Sequence, residues 1–184
     1  MSTTVTLLTL IIRLIGFVFI LRAWFYAARI PPFNPFTQTI YRFTDWASLP
    51  MQRLLAPRGQ FDWPNITIVW IIAFIYLLAL FSFQLFNPIG QVIAAALTGV
   101  EWWLNTMFWA IVIQAVLSWV NPAAPIAPLL NALTAPVLNP VRNLLPNVGA
   151  IDFSPLVVLI ATQVLIVVIN NINRTILFGD LLSF

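Results

Sequence analysis

The chain has no cysteine, no histidine and no lysine in its 184 residues. Without cysteine there are no disulfides, thiol chemistry or thiolate metal sites. Without histidine there is no imidazole base, no His-ligated haem or metal and no Ser-His-Asp triad. Charge is scarce as well: 7% of residues are charged, where a soluble domain carries about 25%. The carboxylates are Asp45, Asp62, Glu101, Asp152 and Asp180. No glycine-rich phosphate loop, carbonyl selectivity filter or dense acidic ring accompanies them. These absences point to a protein that is not an enzyme and uses no cofactor or metal.

What fills the chain instead is hydrocarbon. It is 61% hydrophobic with a mean hydropathy of +0.98, and only lipid can cover so much apolar surface. A bilayer core takes about 20 apolar residues of helix. Runs of that kind lie at 5–28, 66–86, 101–120 and 155–176, so the expected fold is all-α, a polytopic membrane protein with four transmembrane helices. Residues 91–100 extend the third span or lie at the interface. A fifth span would need that short stretch to cross alone. Arg13 interrupts what would be the core of a signal peptide, and no basic segment precedes it.

Thirteen of the 14 prolines fall at 31–64 and 122–155. Four spans put both proline-rich loops on one side. Those loops hold Arg29, Arg42, Arg53, Arg58 and Arg142, whereas the opposite connections hold only Arg174. The positive-inside rule makes the loops cytoplasmic and the termini external. Trp24, Trp63, Trp70 and Trp119 are then expected at the cytoplasmic face, and Trp102 and Trp103 at the other. The net charge of +3 and pI near 10.2 reflect this topology and contact with anionic headgroups. They do not call for nucleic acid.

Shifted by ninety positions, the chain falls on itself. Pro32 meets Pro122, Pro35 meets Pro125, Thr44 meets Thr134, Pro50 meets Pro140 and Asp62 meets Asp152. This divides it into two span–loop–span repeats, 1–90 and 91–184. Each loop carries an amphipathic pattern. Phe36, Ile40, Phe43, Ala47, Pro50 and Leu54 form one apolar stripe, with Gln38, Arg42 and Asp45 off it. Asn34-Pro35 is a cap followed by a helix-starting proline. The second stripe is Ile126, Leu129, Leu130, Leu133, Val137, Val141 and Leu144, which Pro136 and Pro140 should kink or divide. Both read as helices lying in the headgroup plane.

Several residues are candidates for more than packing. Arg142 with Asp152, mirrored by Arg53 with Asp62, would be a functional pair or merely cap helices and pin loops. Asp152 or Ser154 could cap the last span, with Pro155 at its first position and Pro146 and Gly149 turning the chain. Arg13, Arg22 and Glu101 are charges within or at the end of spans. Arg22 would snorkel to the cytoplasmic interface, and Glu101 is the accessible partner of Arg13. Gln114 and Gln163 lie within the third and fourth spans, where one interhelical hydrogen bond is expected.

Pro140, Arg142, Leu144, Leu145, Pro146, Gly149, Ile151, Asp152, Ser154 and Pro155 resemble the signature of the YggT family (YlmG-like), multi-pass membrane proteins with two tandem copies of it. Asn143 stands where the family has a second arginine. The first copy departs further, with Gln52 at the first arginine position, Arg53 at the second and Trp63-Pro64 ending the motif. The resemblance implies osmotic tolerance or an organising and assembly role, exerted through the cytoplasmic loops on a membrane-protein partner or a homo-oligomer. A small ion or osmolyte transporter is the alternative. The family supplies no catalytic residues to carry over.

Overall fold

The computed structural model describes residues 3–81, 88–144 and 152–178. Six helices follow in order: α1 (Thr3–Ala27), α2 (Pro35–Leu54), α3 (Trp63–Phe81), α4 (Pro88–Val120), α5 (Ala127–Leu144) and α6 (Ser154–Phe178). Among the described residues there is no strand beyond one isolated bridge between Arg58 and Phe61. The motif residues Pro146 and Gly149 lie outside the described residues.

Four helices, α1, α3, α4 and α6, are long and apolar enough to cross a membrane. Their hydrophobic side chains point outward as well as inward, as expected where lipid rather than water surrounds the bundle. Local signals set the ends. Arg29 adopts a left-handed backbone with φ of 52°, and the Ile30 N–H reaches back to the Phe25 carbonyl at 3.0 Å, closing α1. Asn34 starts α2 by accepting the Phe36 N–H at 3.0 Å, with proline at the first position.

The third span takes the longer of its two expected forms, with residues 91–100 extending it. It begins at Pro88 and runs unbroken for 33 residues, because nothing between Gly90 and Val100 stops a helix. Glu101, Trp102 and Trp103 therefore lie well inside it, which corrects their placement at an outer end. Trp102 is no interfacial anchor; it is 7% exposed and meets the Tyr76 ring edge-on at 5.2 Å. Trp103 meets Trp24, expected at the opposite face, with ring centroids 6.0 Å apart.

The chain forms two compact units, residues 1–103 with 168–184, and residues 104–167. This division does not follow the two repeats. In the first unit α1 and α3 pack along each other, and α2 lies on both. Phe19, Ile20, Ile68, Val69, Ala73, Tyr76, Leu77, Ala94, Ala95 and Trp102 make its core. Gly16 lets α1 close on the Trp102 indole, which a methyl group there would strike.

The two amphipathic helices bury different faces. In α2 the buried residues are Thr37, Thr44 and Ser48, with Tyr41 half-buried between them. The apolar stripe stays out: Phe36, Phe43 and Leu54 are exposed. At 100° per residue, Gln38, Arg42 and Arg53 form a third, polar face. Helix α5 instead buries Leu129, Leu130, Leu133, Thr134 and Leu138. Its expected apolar stripe thus packs inside the second unit, at Leu129, Leu130 and Leu133. The helix is also one element, continuing through Pro136 and Pro140 rather than divided by them.

Candidate functional site

Arginine 22 lies near the end of α1 and is 3% exposed. It does not snorkel. Its Nη1 donates to Asp45 Oδ1 at 2.6 Å, to Thr44 Oγ1 at 2.6 Å and to the Tyr41 carbonyl at 3.1 Å. The guanidinium also lies over the Tyr41 ring, with Cζ 4.5 Å from the centroid. Thr44 completes its own bonding by donating to the Ile40 carbonyl at 2.7 Å. One end of the α1 guanidinium is thus bonded by α2, with Asp45 making it an ion pair, while the buried Arg22 Nε has no partner among the described residues. Burial lifts the Tyr41 phenol above its ordinary pKa, with the Arg22 charge pulling the other way, so the hydroxyl stays protonated at neutral pH.

A second polar contact ties the other end of α2. Ser48 donates to Asn65 Oδ1 at 2.5 Å, and Asn65 Nδ2 donates to Asp62 Oδ2 at 2.6 Å. Ser48, Asn65 and Asp62 are all buried. Asp62 immediately precedes α3 and also accepts the Asn65 N–H at 3.4 Å, the geometry of a helix N-cap, where its charge meets the positive end of the dipole. The expected pairing of Asp62 with Arg53 is not formed. Arg53 is exposed in the last turn of α2, while Asp62 is turned inward to Asn65.

The second unit repeats the arrangement without charge. Gln114 of α4 meets Thr134 of α5 and donates to Asn131 Oδ1 at 2.5 Å. Thr44 and Thr134 are ninety positions apart, and each is fully buried. Each therefore receives a polar side chain from the first span of its own repeat, Arg22 in one and Gln114 in the other. Gln114 makes the interhelical bond its sequence position suggests.

In the family-like motif, Arg142 Nε donates to Asp152 Oδ2 at 2.7 Å, and Arg142 Nη1 to Asn139 Oδ1 at 3.3 Å. Asp152 Oδ1 also accepts the Ser154 N–H at 2.9 Å, which secures the start of α6 just ahead of Pro155. Pro140 lies within α5 just before Arg142. Limited burial disfavours the Asp152 charge. Hydrogen bonds from Ser154 and Arg142 outweigh it and hold the carboxyl below its ordinary range.

Arg13 and Glu101 belong to a polar cluster inside the first unit. The Arg13 guanidinium lies over the Tyr76 ring at 5.0 Å. Glu101 feels the Arg13 charge and is hydrogen-bonded to the Asn170 side chain. One turn away, Asn173 Nδ2 donates to Thr98 Oγ1 at 3.3 Å. The Asn173 Oδ1 is buried and has no partner within the described residues. Helices α4 and α6 therefore meet through two polar rungs, Glu101–Asn170 and Thr98–Asn173. Among the described residues no group of acidic side chains is arranged to hold a metal.

Tyr41, Ser48 and Asn65 were not singled out by sequence reasoning, and Thr44 only as the repeat counterpart of Thr134. Their signal was present: Thr37, Tyr41, Thr44 and Ser48 recur at four- and three-residue spacing, a hydroxyl stripe beside the more conspicuous apolar one.

A family profile described as CCB3/YggT matches residues 1–84 and 93–172. The chain belongs to that family. It is 33% identical to the uncharacterised protein YggT of Escherichia coli K12 over 170 residues, covering 90% of this chain and 88% of the relative. The uncharacterised protein PA0392 of Pseudomonas aeruginosa is 32% identical over 179 residues, at 90% and 84% coverage. A Vibrio alginolyticus protein encoded in the proC 3' region is 31% identical over 158 residues, at 79% and 82%. No solved structure matches the chain. The two stretches matched by the YggT family profile contain the Arg22–Asp45 pair and the Arg142–Asp152 pair respectively.

Two predictions test these contacts. Asp45→Ala strands a buried guanidinium and should cost about 2–4 kcal/mol; it lies towards the lower end for a buried pair because Asp45 is partly exposed. Adding Arg22→Met should recover most of the loss in thermal unfolding of detergent-solubilised protein, whereas simple additivity would refute the coupling. The Arg142–Asp152 contact depends on a lowered carboxyl pKa, so it contributes fully above the ordinary carboxylate pKa of about 4. It is lost as pH falls through the depressed value. Amide-exchange protection at the start of α6 should fall below that point in the wild type, and Asp152→Asn should show the lower protection already at neutral pH.

Proposed function

We propose that the protein is a non-enzymatic, multi-pass inner-membrane protein that organises or assembles a membrane-protein partner from the cytoplasmic interface. The carrying observation is the setting of α2. Buried polar contacts fix its hydroxyl face to α1 and α3, yet Phe43 is 69%, Trp46 72% and Leu54 80% exposed. A helix held so firmly while leaving large aromatics uncovered is a presenting surface. Its apolar side enters the acyl boundary or a partner, and Arg42 and Arg53 reach headgroup phosphates. A role in osmotic tolerance follows if the assembled partner responds to membrane tension or solute stress.

Helix α5 contributes differently. Its leucines are spent inside the second unit, leaving the end of the helix near Leu144, which is 83% exposed, as its contact point. Photocrosslinking residues placed at Trp46 and Leu144 in living cells should each give a discrete adduct with one other membrane protein. Adducts with lipid alone at both positions would sink this reading.

The cluster of Arg13, Glu101 and Asn170 favours a second reading, transport of a small ion or osmolyte, because charge within spans is costly unless used. On that reading, purified protein in liposomes should conduct, and Arg13→Gln or Glu101→Gln should lower flux at least tenfold. Flux indifferent to both changes would remove the cluster from any transport step.

A further inference from the structure

Helix α6 carries an amide where a membrane span tolerates one badly. Gln163 is the tenth residue of the helix Ser154–Phe178, close to the middle of the span. Its side chain is exposed and has no hydrogen-bond partner among the described residues. In water this would be unremarkable. In hydrocarbon, a carboxamide with two N–H donors and a carbonyl left unbonded is strongly disfavoured.

The surroundings of Gln163 form a seam. Leu156, Ile160, Gln163 and Val167 recur at spacings of four, three and four, the repeat by which parallel helices pack against each other. Leu156 is 55%, Ile160 58% and Val167 58% exposed. Of the four spans, α6 is also the least covered, with 17% of its most apolar stretch buried.

The internal repeat supplies an independent observation. Ninety positions earlier, Leu159, Gln163 and Val167 correspond to Val69, Ala73 and Leu77 of α3. Those three are buried in one cluster with Ala94 and Ala95 of α4, and Val69 lies against Gly99 of α4. In the first repeat, therefore, this face of the second span receives another helix. In the second repeat Leu159 is partly buried but Gln163 and Val167 are exposed, and the buried alanine has been replaced by glutamine.

We infer that α6 is a homodimerisation helix, in which Gln163 bonds Gln163 of a second copy of this chain across a twofold axis normal to the membrane. Two copies inserted with the same topology must place residue 163 at the same depth. That geometry makes α6 parallel to its counterpart and sets like residues opposite one another. A carboxamide is its own complement: each donates one N–H to the carbonyl of the other. A single polar residue within an apolar seam also fixes the register of the pair. A different partner helix would need its own polar group at this depth, whereas a second copy supplies one by symmetry.

The absence of cysteine makes the test direct. Ile160→Cys, Val167→Cys and Leu165→Cys each introduce a lone thiol, the last at similar depth but about 200° around the helix from Gln163. Oxidation with copper phenanthroline in native membranes should give disulfide-linked dimers from positions 160 and 167, with at least tenfold less from 165. Adding Gln163→Leu to Ile160→Cys should lower the dimer yield at least tenfold, although leucine is well tolerated towards lipid. Equal crosslinking from all three positions, none from 160 and 167, or adducts only with another protein would overturn the dimer. An unchanged yield with Gln163→Leu would overturn the role of the amide.

Discussion

A guanidinium inside a lipid-facing bundle has to find acceptors within the protein, and Arg22 finds them on α2. That requirement shapes much of the first unit. The connection between α1 and α3 cannot be an open loop, because the carboxylate, hydroxyl and carbonyl that satisfy Arg22 must be brought to it on one turn of helix. Tyr41, Thr44 and Asp45 lie within a single such turn, and Asn34-Pro35 starts the helix that carries them. Once α2 is laid down with its hydroxyl face inward, its apolar stripe is directed away from the bundle. The exposed aromatics are thus a consequence of where the charge is buried.

The second repeat keeps this plan and changes its electrostatics. A threonine at the same repeat position still receives a side chain from the preceding span, but glutamine replaces arginine and no acid is needed. Neutral hydrogen bonds hold two helices together less strongly than a buried charge whose partner is lost would push them apart. Helix α5 accordingly draws more of its attachment from packed leucines. The second unit places its ion pair elsewhere, between Arg142 and Asp152 at the return to α6. There both side chains are about two-fifths exposed, and water screens the contact.

The spans, the caps and the amphipathic loops were legible because each follows from local chemistry: apolar length, Asn-Pro, alternating three- and four-residue spacing. The positions of Arg22, Asp62 and Trp102 were not. Snorkelling and burial use the same arginine, and only the tertiary arrangement decides whether Asp45 lies close enough to favour burial. Asp62 can serve as a cap or an ion-pair partner from the same sequence position. Trp102 was read as an interfacial anchor because the third span was started at Glu101. The sequence left open whether residues 91–100 extend that span or lie at the interface, and only the longer form puts Trp102 inside the bundle. The hydroxyl stripe of α2 was less legible because it shares the period of its more conspicuous apolar neighbour, and threonine and serine carry no hydropathy signal of burial.

The exclusive use of arginine fits this division of labour. A lysine at position 22 would relieve its burial by giving up a proton, and the contact to Asp45 would weaken to a neutral one. Arginine cannot do so at any pH the cell reaches, so the attachment of α2 remains charged whatever surrounds it. The same permanence would suit Arg42 and Arg53 to the headgroup contact proposed for them, since their charge would persist as the local surface pH drops beside anionic lipid. One residue type thus serves two opposite environments. In the interior its fixed charge commits α1 and α2 to one arrangement, and on the proposed reading the same fixed charge at the surface would hold the resulting helix at the level where its aromatics meet lipid.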